Sequence, residues 1–373
     1  MLSTTLPTRP EDLSVDLLNQ VIATNTPGVS LTGFNVIESH LWGGGQASSA
    51  GRIIIEPQYS PLSPEGLPKH IIVKVAKCAP GEQVEEGGSG SGQLYENEVN
   101  VYTQLRPAEF MIAPVTLGGT FDPKTKTFML LLEDLRDRGA IFPSVKTAIS
   151  LAQMQSMIDQ YASLHARYWS HSEFGRSLGW LEDHTRGAIH DLFTSKKVAG
   201  FAEYQVATTQ FKQEMLERIR VTPKELHEQF QRVQAHQSTL PQTLCHGDAH
   251  IGNTYLLPND RAGLLDWQLS ARGYCMHDIS YIITTGLSVA GRRAHERELL
   301  AYYREQLLSR GVKDVPLLGE LWLEYRCAMV WNLYIGWLIT PVVNYGWDIT
   351  VMAVLRTITA NEDHETAKAL ANL

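Results

Sequence analysis

The spacing of hydrophobic positions changes twice along the chain. Leu17, Leu18, Val21 and Ile22 recur at helical spacing and predict a short amphipathic helix over 11–25, with Ser14 as its cap. Phe34–Leu41, the turn Trp42-Gly-Gly-Gly-Gln46 and Gly51–Glu56 then read as strand, glycine-rich turn, strand. His70–Lys77 is a third strand, and the wholly apolar Phe128–Glu133 a fourth. A helix is predicted between them, over Leu94–Leu105. The glycine-rich, acidic run 79–93 carries no periodicity and no assigned element. Beyond Leu135 the period is mainly helical, over 149–170, 209–236, 291–310, 317–339 and 350–371. Thr243–Gln268 interrupts it with loops and brief strands. The pattern gives an α+β chain in two parts, a strand-rich one over 1–135 and a helix-rich one over 136–373.

Within the interruption lies the densest chemistry. Leu244-Cys-His246-Gly247-Asp248-Ala-His250-Ile-Gly-Asn253 is followed, thirteen residues on, by Asp266 at the end of the apolar pair Leu264-Leu265. One carboxylate, an amide five residues later and a second carboxylate closing a strand form the set that phosphoryl transfer requires. The first accepts the proton of an attacking hydroxyl, and the other two offer hard oxygen donors to magnesium. A competing chemistry is open for the same segment: His246, Asp248 and His250 alternate as the ligands of a metal-dependent hydrolase would. That reading leaves Asn253 and Asp266 without a role. The ordinary reading of both histidines is structural.

This segment resembles the aminoglycoside phosphotransferase and choline kinase-like superfamily, small-molecule kinases with a protein-kinase-like fold. Leu-Glu133-Asp134-Leu135, Leu164-His-Ala-Arg-Tyr-Trp169 and Asp278-Ile-Ser-Tyr281 look most like its ecdysteroid kinase-like branch. The resemblance spans about residues 30–285 and implies a bilobed fold, with a small antiparallel-sheet lobe and a large, mainly helical one. It implies ATP and Mg²⁺ as cofactors, Asp248 as catalytic base, and Asn253 and Asp266 as metal ligands. It further implies Lys74 on the phosphates, held by Glu98 with Glu96 as the alternative, and the backbone of Glu133, Asp134 and Leu135 on the adenine. Gly44, Gly45, Ser48 and Ser49 would cover the phosphates, although the turn fits neither G-x-G-x-x-G nor a Walker loop and also reads as a plain hairpin turn. Trp267-Gln268 replaces the Phe-Gly that follows this aspartate in protein kinases, which argues against a regulated activation loop. A nucleotide-binding pseudokinase is the non-catalytic alternative, but all five catalytic-type residues are present.

Seven aromatics fall between Trp322 and Trp347. They read as a packed core helix or as a wall for a bulky, partly apolar alcohol, with Trp331, Tyr334 and Trp337 as candidate substrate contacts. Asp278 is a candidate on the same list, with bracing of the catalytic loop as its other role. The net charge of −8, from 40 acidic and 32 basic side chains, disfavours nucleic acid and anionic membrane as partners. Cys78, Cys245, Cys275 and Cys327 form no clustered motif and suit a reducing cytoplasm. The most apolar stretch, Cys327–Val343, contains Asn332, Thr340 and Pro341 and reads as a core helix rather than a membrane span. The partner expected is a small-molecule alcohol, bound by a monomer or homodimer.

Overall fold

A computed structural model describes residues 6–41, 50–77, 92–371 and 373. Gly44, Gly45, Ser48 and Ser49 lie outside these residues. The chain divides into two compact units, Met1–Ile141 and Phe142–Leu373. The division falls six residues beyond the predicted join because the turn Leu135–Arg138 stays tied to the sheet. Arg136 bonds the Asp134 carboxylate and Glu38, and Ala140 N donates to Leu135 O.

In the first unit five antiparallel strands, β1 (Leu31–His40), β2 (Ala50–Tyr59), β3 (Ile71–Ala76), β4 (Thr116–Asp122) and β5 (Thr127–Glu133), lie in the order β1-β2-β3-β5-β4. β5 is paired on both edges, and its first six residues are buried, which is why it is apolar throughout. Helix α1 (Val15–Asn25) is capped as predicted, Ser14 Oγ accepting from Leu17 N at 3.2 Å. Its apolar stripe packs with Ile53, Ile55, Val73 and Leu131 in one core. β4 was not anticipated from the pattern. Its Gly118 holds φ +152°, and a Cβ there would sit 2.7 Å from the Val21 carbonyl, so the strand's irregular, glycine-containing sequence is set by the closeness of α1. Helix α2 (Gly92–Asn100) stacks Tyr95 on Phe128 at 4.4 Å and ends in a π-turn, Val101–Leu105.

The second unit contains α3 (Leu151–Arg167), α4 (Ala188–Thr194), α5 (Lys196–Ala207), α6 (Gln210–Ile219) and α7 (Pro223–Gln237). Short strands β6 (Thr243–Cys245), β7 (Thr254–Leu257), β8 (Arg261–Leu264) and β9 (Ala271–Gly273) follow. The chain ends in α8 (Met276–Gly286), α9 (Val289–Ser309), α10 (Leu318–Leu333), α11 (Val342–Tyr345), α12 (Trp347–Asp363) and α13 (Thr366–Leu370). The single helix expected over 209–236 is two, broken where Arg220 turns left-handed and Thr222 and Glu225 form a capping box ahead of α7. α8 is buried at every position, its polar His277, Asp278, Ser280, Thr284 and Thr285 included. Among the described residues no helix is long and apolar enough to cross a membrane. The apolar stretch from Cys327 runs through the end of α10 and the π-turn Tyr334–Leu338, and α10 packs against α8.

Leu18 is fully buried in the core shared by α1 and the sheet. Leu18→Ala is expected to lower the unfolding free energy of this unit by about 2–5 kcal/mol, read from the urea midpoint by circular dichroism.

Candidate active site

In the first unit, Lys74 sits mid-strand on β3, opposite Arg52 of β2 and Leu130 of β5. Its Nζ donates to both oxygens of Glu98 on α2, at 2.6 and 2.7 Å, and Glu98 is completely buried. Glu98 rather than Glu96 is therefore the lysine's partner. A bidentate carboxylate at this depth keeps the ammonium charged and fixes its aim. Removing either partner would break this buried charge pair. At the end of β5, the Glu133 N–H donates to Val115 O and the Asp134 N–H to His70 O. The Glu133 carboxylate accepts from Val115 N and Arg138, and that of Asp134 from Arg136. Two of the amides expected to meet an adenine are thus engaged in the sheet. The Glu133 carbonyl and the Leu135 N–H take no part in those bonds.

In the second unit, the segment between β6 and the turn Ile251–Asn253 is held from below by one carboxylate. Asp278, at the start of α8 and 0% exposed, accepts from His246 N at 2.6 Å and Gly247 N at 3.0 Å. It also accepts from His165 Nε2 at 3.1 Å, and His165 Nδ1 in turn bonds Tyr303 Oη. Asp278 is therefore a loop brace and not a substrate contact: buried and fully engaged, it has no oxygen to offer a ligand. His165, Cys245 and Asp278 cluster closely enough to suggest a metal, yet the same bonds already use the aspartate and both histidine nitrogens. Gly247 completes the turn at φ +84°. A Cβ there would lie 1.8 Å from the Leu269 carbonyl, so no other residue fits. His277 Nε2 donates to the Gly247 carbonyl from the other side.

His246 has both ring nitrogens occupied, Nδ1 accepting from Asp248 N and Nε2 donating to Leu265 O. Burial lowers its pKa, which keeps the ring neutral in this role. It cannot also ligate a metal, and the hydrolase alternative loses its first ligand. Asp248 is half-buried. Asn253 Nδ2 donates to its Oδ2 at 3.0 Å and to its backbone carbonyl at 2.9 Å, leaving Asn253 Oδ1 to face elsewhere. Leu265 N donates to Asn253 O across the β7–β8 hairpin, which sets Asp266 beside that amide. Asp266 holds a left-handed φ of +66°, and its carboxylate accepts no hydrogen bond from a described residue. One amide oxygen and one unengaged carboxylate on adjoining strand ends form a donor set that suits a hard divalent cation.

Of the aromatic candidates, only Trp337 stands near this loop. It lies 6.2 Å from the His250 ring and 5.3 Å from Tyr345. His250 Nε2 lies 3.7 Å from Asp248 Oδ2. Trp331 packs behind the loop against His277 and Phe230, and Tyr334 bonds His227 on α7, so neither reaches Asp248. Tyr345 is the residue that the sequence reading passed over. It is half-buried at the end of α11, and burial together with the charges of Asp248 and Asp266 raises its pKa. Its membership of the aromatic run was the available signal; its nearness to the aspartates comes from the break after Leu338.

Burial alone would raise the pKa of Asp278, but the His165 hydrogen bond and the surrounding histidines outweigh it and hold the group at about 2. A carboxylate depressed below its unfolded value of about 3.9 stabilises the fold above that pH, and the stabilisation fades as pH falls toward about 2. Urea midpoints measured from pH 6 to pH 3 should therefore fall more steeply for the native chain than for Asp278→Asn, while the variant is the less stable of the two at pH 7.

The model of the ecdysteroid kinase-like family matches residues 64–314, well over half the chain. No curated protein sequence matches it. Among solved structures, choline kinase from Cryptosporidium parvum Iowa II superposes with a TM-score of 0.55 at 13% identity, over 96% of this chain and 97% of that one. Plasmodium vivax ethanolamine kinase gives 0.48 at 12% identity, over 90% and 82%. Aminoglycoside-3'-phosphotransferase of type VIII gives 0.44 at 18% identity, over 85% and 98%. The first of these shows a shared fold, and the family match extends across the strand of Lys74, the loop of Asp248 and the strand end of Asp266. The chain belongs to the ecdysteroid kinase-like family, and its fold is shared with that choline kinase.

Proposed function

We propose that the protein is an ATP- and Mg²⁺-dependent phosphotransferase acting on a hydroxyl group of a small, bulky and partly apolar organic molecule. The observation that carries this reading is the pairing of Asp248 with Asn253 on a loop clamped by Asp278. The base candidate is oriented by the side-chain amide of Asn253, a residue whose strand end adjoins that of Asp266.

In this reading Lys74 fixes the α- and β-phosphates while Glu98 keeps it charged and pointed. The Glu133 carbonyl and the Leu135 N–H, rather than the two engaged amides, receive the adenine edge. Asn253 Oδ1 and the Asp266 carboxylate hold Mg²⁺, which neutralises phosphate charge when bound. Asp248 Oδ accepts the proton of the acceptor hydroxyl as the new O–P bond forms and ADP departs with the bridging oxygen. Rate comes mainly from alignment and charge neutralisation, so the rigidity of the loop matters as much as the basicity of Asp248. The free, buried Cys245, Cys275 and Cys327 accord with action in the cytoplasm.

Asp248→Asn should lower the rate of acceptor-dependent ADP release by about 10²–10⁴-fold with nucleotide affinity within a few fold. Unchanged turnover would remove the assignment. Tyr345→Ala should raise the acceptor KM by about tenfold while leaving the KM for ATP unmoved, because the aromatic face grips the apolar part of the alcohol. An equal rise in both constants would place Tyr345 outside the acceptor site.

A further inference from the structure

Below the catalytic loop, within the second unit, lies a cavity of about 380 Å³ that the phosphoryl-transfer chemistry does not use. Three basic side chains line it, Lys146, His295 and Arg356, and among the described residues no carboxylate does. The first turn of α9, at Ser288 and Gly291, closes one side, and Leu287 is among the apolar groups of its walls. The volume falls at the lower end of small-ligand sites, about 300–1,000 Å³.

Arg356 is the unusual member. It is 9% exposed, and its guanidinium donates to the carbonyls of Thr285 and Val145, with no carboxylate beside it. Burial pulls its pKa down from the ordinary arginine value, the mark of a cation that lacks a countercharge. A buried charge without an opposite partner is costly, and neutral carbonyls compensate it only in part. The other two bases do have acids, both toward solvent: Lys146 pairs with Asp348 at 3.6 Å, and His295 with Glu298 at 3.1 Å. Neither acid lines the cavity. The cavity therefore presents positive charge over apolar walls.

Arg356 also reaches the catalytic loop in two bonds. It holds the Thr285 carbonyl, and Thr285 Oγ1 accepts from Ile251 N at 3.0 Å. Ile251 opens the turn that ends in Asn253, the amide that orients Asp248. Anything that fixes Arg356 fixes the C-terminal turn of α8, and with it the starting point of that turn.

We propose that this cavity binds a small organic oxyanion, a phosphate or carboxylate on an apolar body, and that the bound anion stiffens the Ile251–Asn253 turn through Arg356 and Thr285. The anion supplies the countercharge that Arg356 lacks, Lys146 and His295 close on it from the mouth, and Leu287 covers its apolar part.

The test uses phenyl phosphate, inorganic phosphate and benzyl alcohol as probes, in equilibrium dialysis with the full chain and with a Lys146→Ala/His295→Ala double variant. Both substitutions are away from the proposed reacting groups, and circular dichroism would verify that the double variant stays folded. Phenyl phosphate should bind the native chain and bind the double variant about tenfold or more weakly. Inorganic phosphate should bind less tightly than phenyl phosphate, and any benzyl alcohol bound, as at the proposed acceptor site, should be bound equally by the two proteins. Amide hydrogen exchange at Ile251–Asn253 should slow with phenyl phosphate in the native chain and stay unchanged in the double variant. Equal affinity of the two proteins for phenyl phosphate, or a loss of benzyl alcohol binding in the double variant equal to the loss for phenyl phosphate, would overturn the site. Binding with no change in exchange would overturn the link to the loop. Neither readout requires turnover, so a failed kinase assignment would leave this result standing.

Discussion

The candidate active site depends on a carboxylate that never meets a ligand. Asp278 is buried among His165, His246 and His277, and spends its oxygens on two consecutive backbone N–H groups and an imidazole. Those bonds set the peptide path through His246 and Gly247. The left-handed Gly247 then brings the chain under the Leu269 carbonyl, where no side chain fits. Only with that path fixed does Asp248 emerge half-exposed, with His246 reaching past it to Leu265 and Asn253 folding back onto it. Held below its ordinary range by these partners even against burial, the ionised group stabilises the fold at neutral pH. It also enforces a single loop conformation, because any other would leave an ionised group buried without donors.

The same logic recurs in the first unit with the signs shared between two side chains. Lys74 and Glu98 are both withdrawn from water and engage each other at 2.6–2.7 Å, linking β3 to α2. An apolar pair of similar volume could join those elements as well and at less cost. The charged pair holds an ammonium in one orientation, which the proposed phosphate contact requires and packing does not. Function is thus visible where the structure accepts buried charge.

Much of this was legible in the sequence. The stripe of α1 with its Ser14 cap, the strands around Lys74 and the spacing of Asp248, Asn253 and Asp266 all depend on local period or motif, and short-range rules describe them. What escaped was set by tertiary surroundings. α8 buries its polar residues along with its apolar ones, and β4 bends its glycines to the carbonyl of a distant helix. The division of labour among the aromatics was hidden for a related reason. Trp331, Tyr334 and Trp337 fall close together in sequence, but the helix winds into a π-turn at Tyr334, and only Trp337 is left beside His250.

Under the proposed function, that π-turn separates the proposed acceptor wall from the catalytic loop. Its carbonyls at Leu338, and that of Thr340 beyond, are capped by Lys212 on α6 at 2.7 Å each, and burial pulls that lysine's pKa down to about 8. Pro341 then prevents the helix from continuing, and the chain turns through α11 to place Tyr345 against Trp337. The wall is therefore fixed by α6 and its own backbone, while the loop is fixed by α8 and α3. They meet where Gly336 admits the Tyr281 ring and where His250 faces Trp337 and Tyr345. Because their supports differ, side chains on the wall can change with little disturbance of the geometry around Asp248. Under the proposed function, a fold arranged this way would keep one phosphoryl-transfer apparatus and alter the alcohol it accepts, since the proposed aligning groups and the proposed acceptor wall rest largely on different elements.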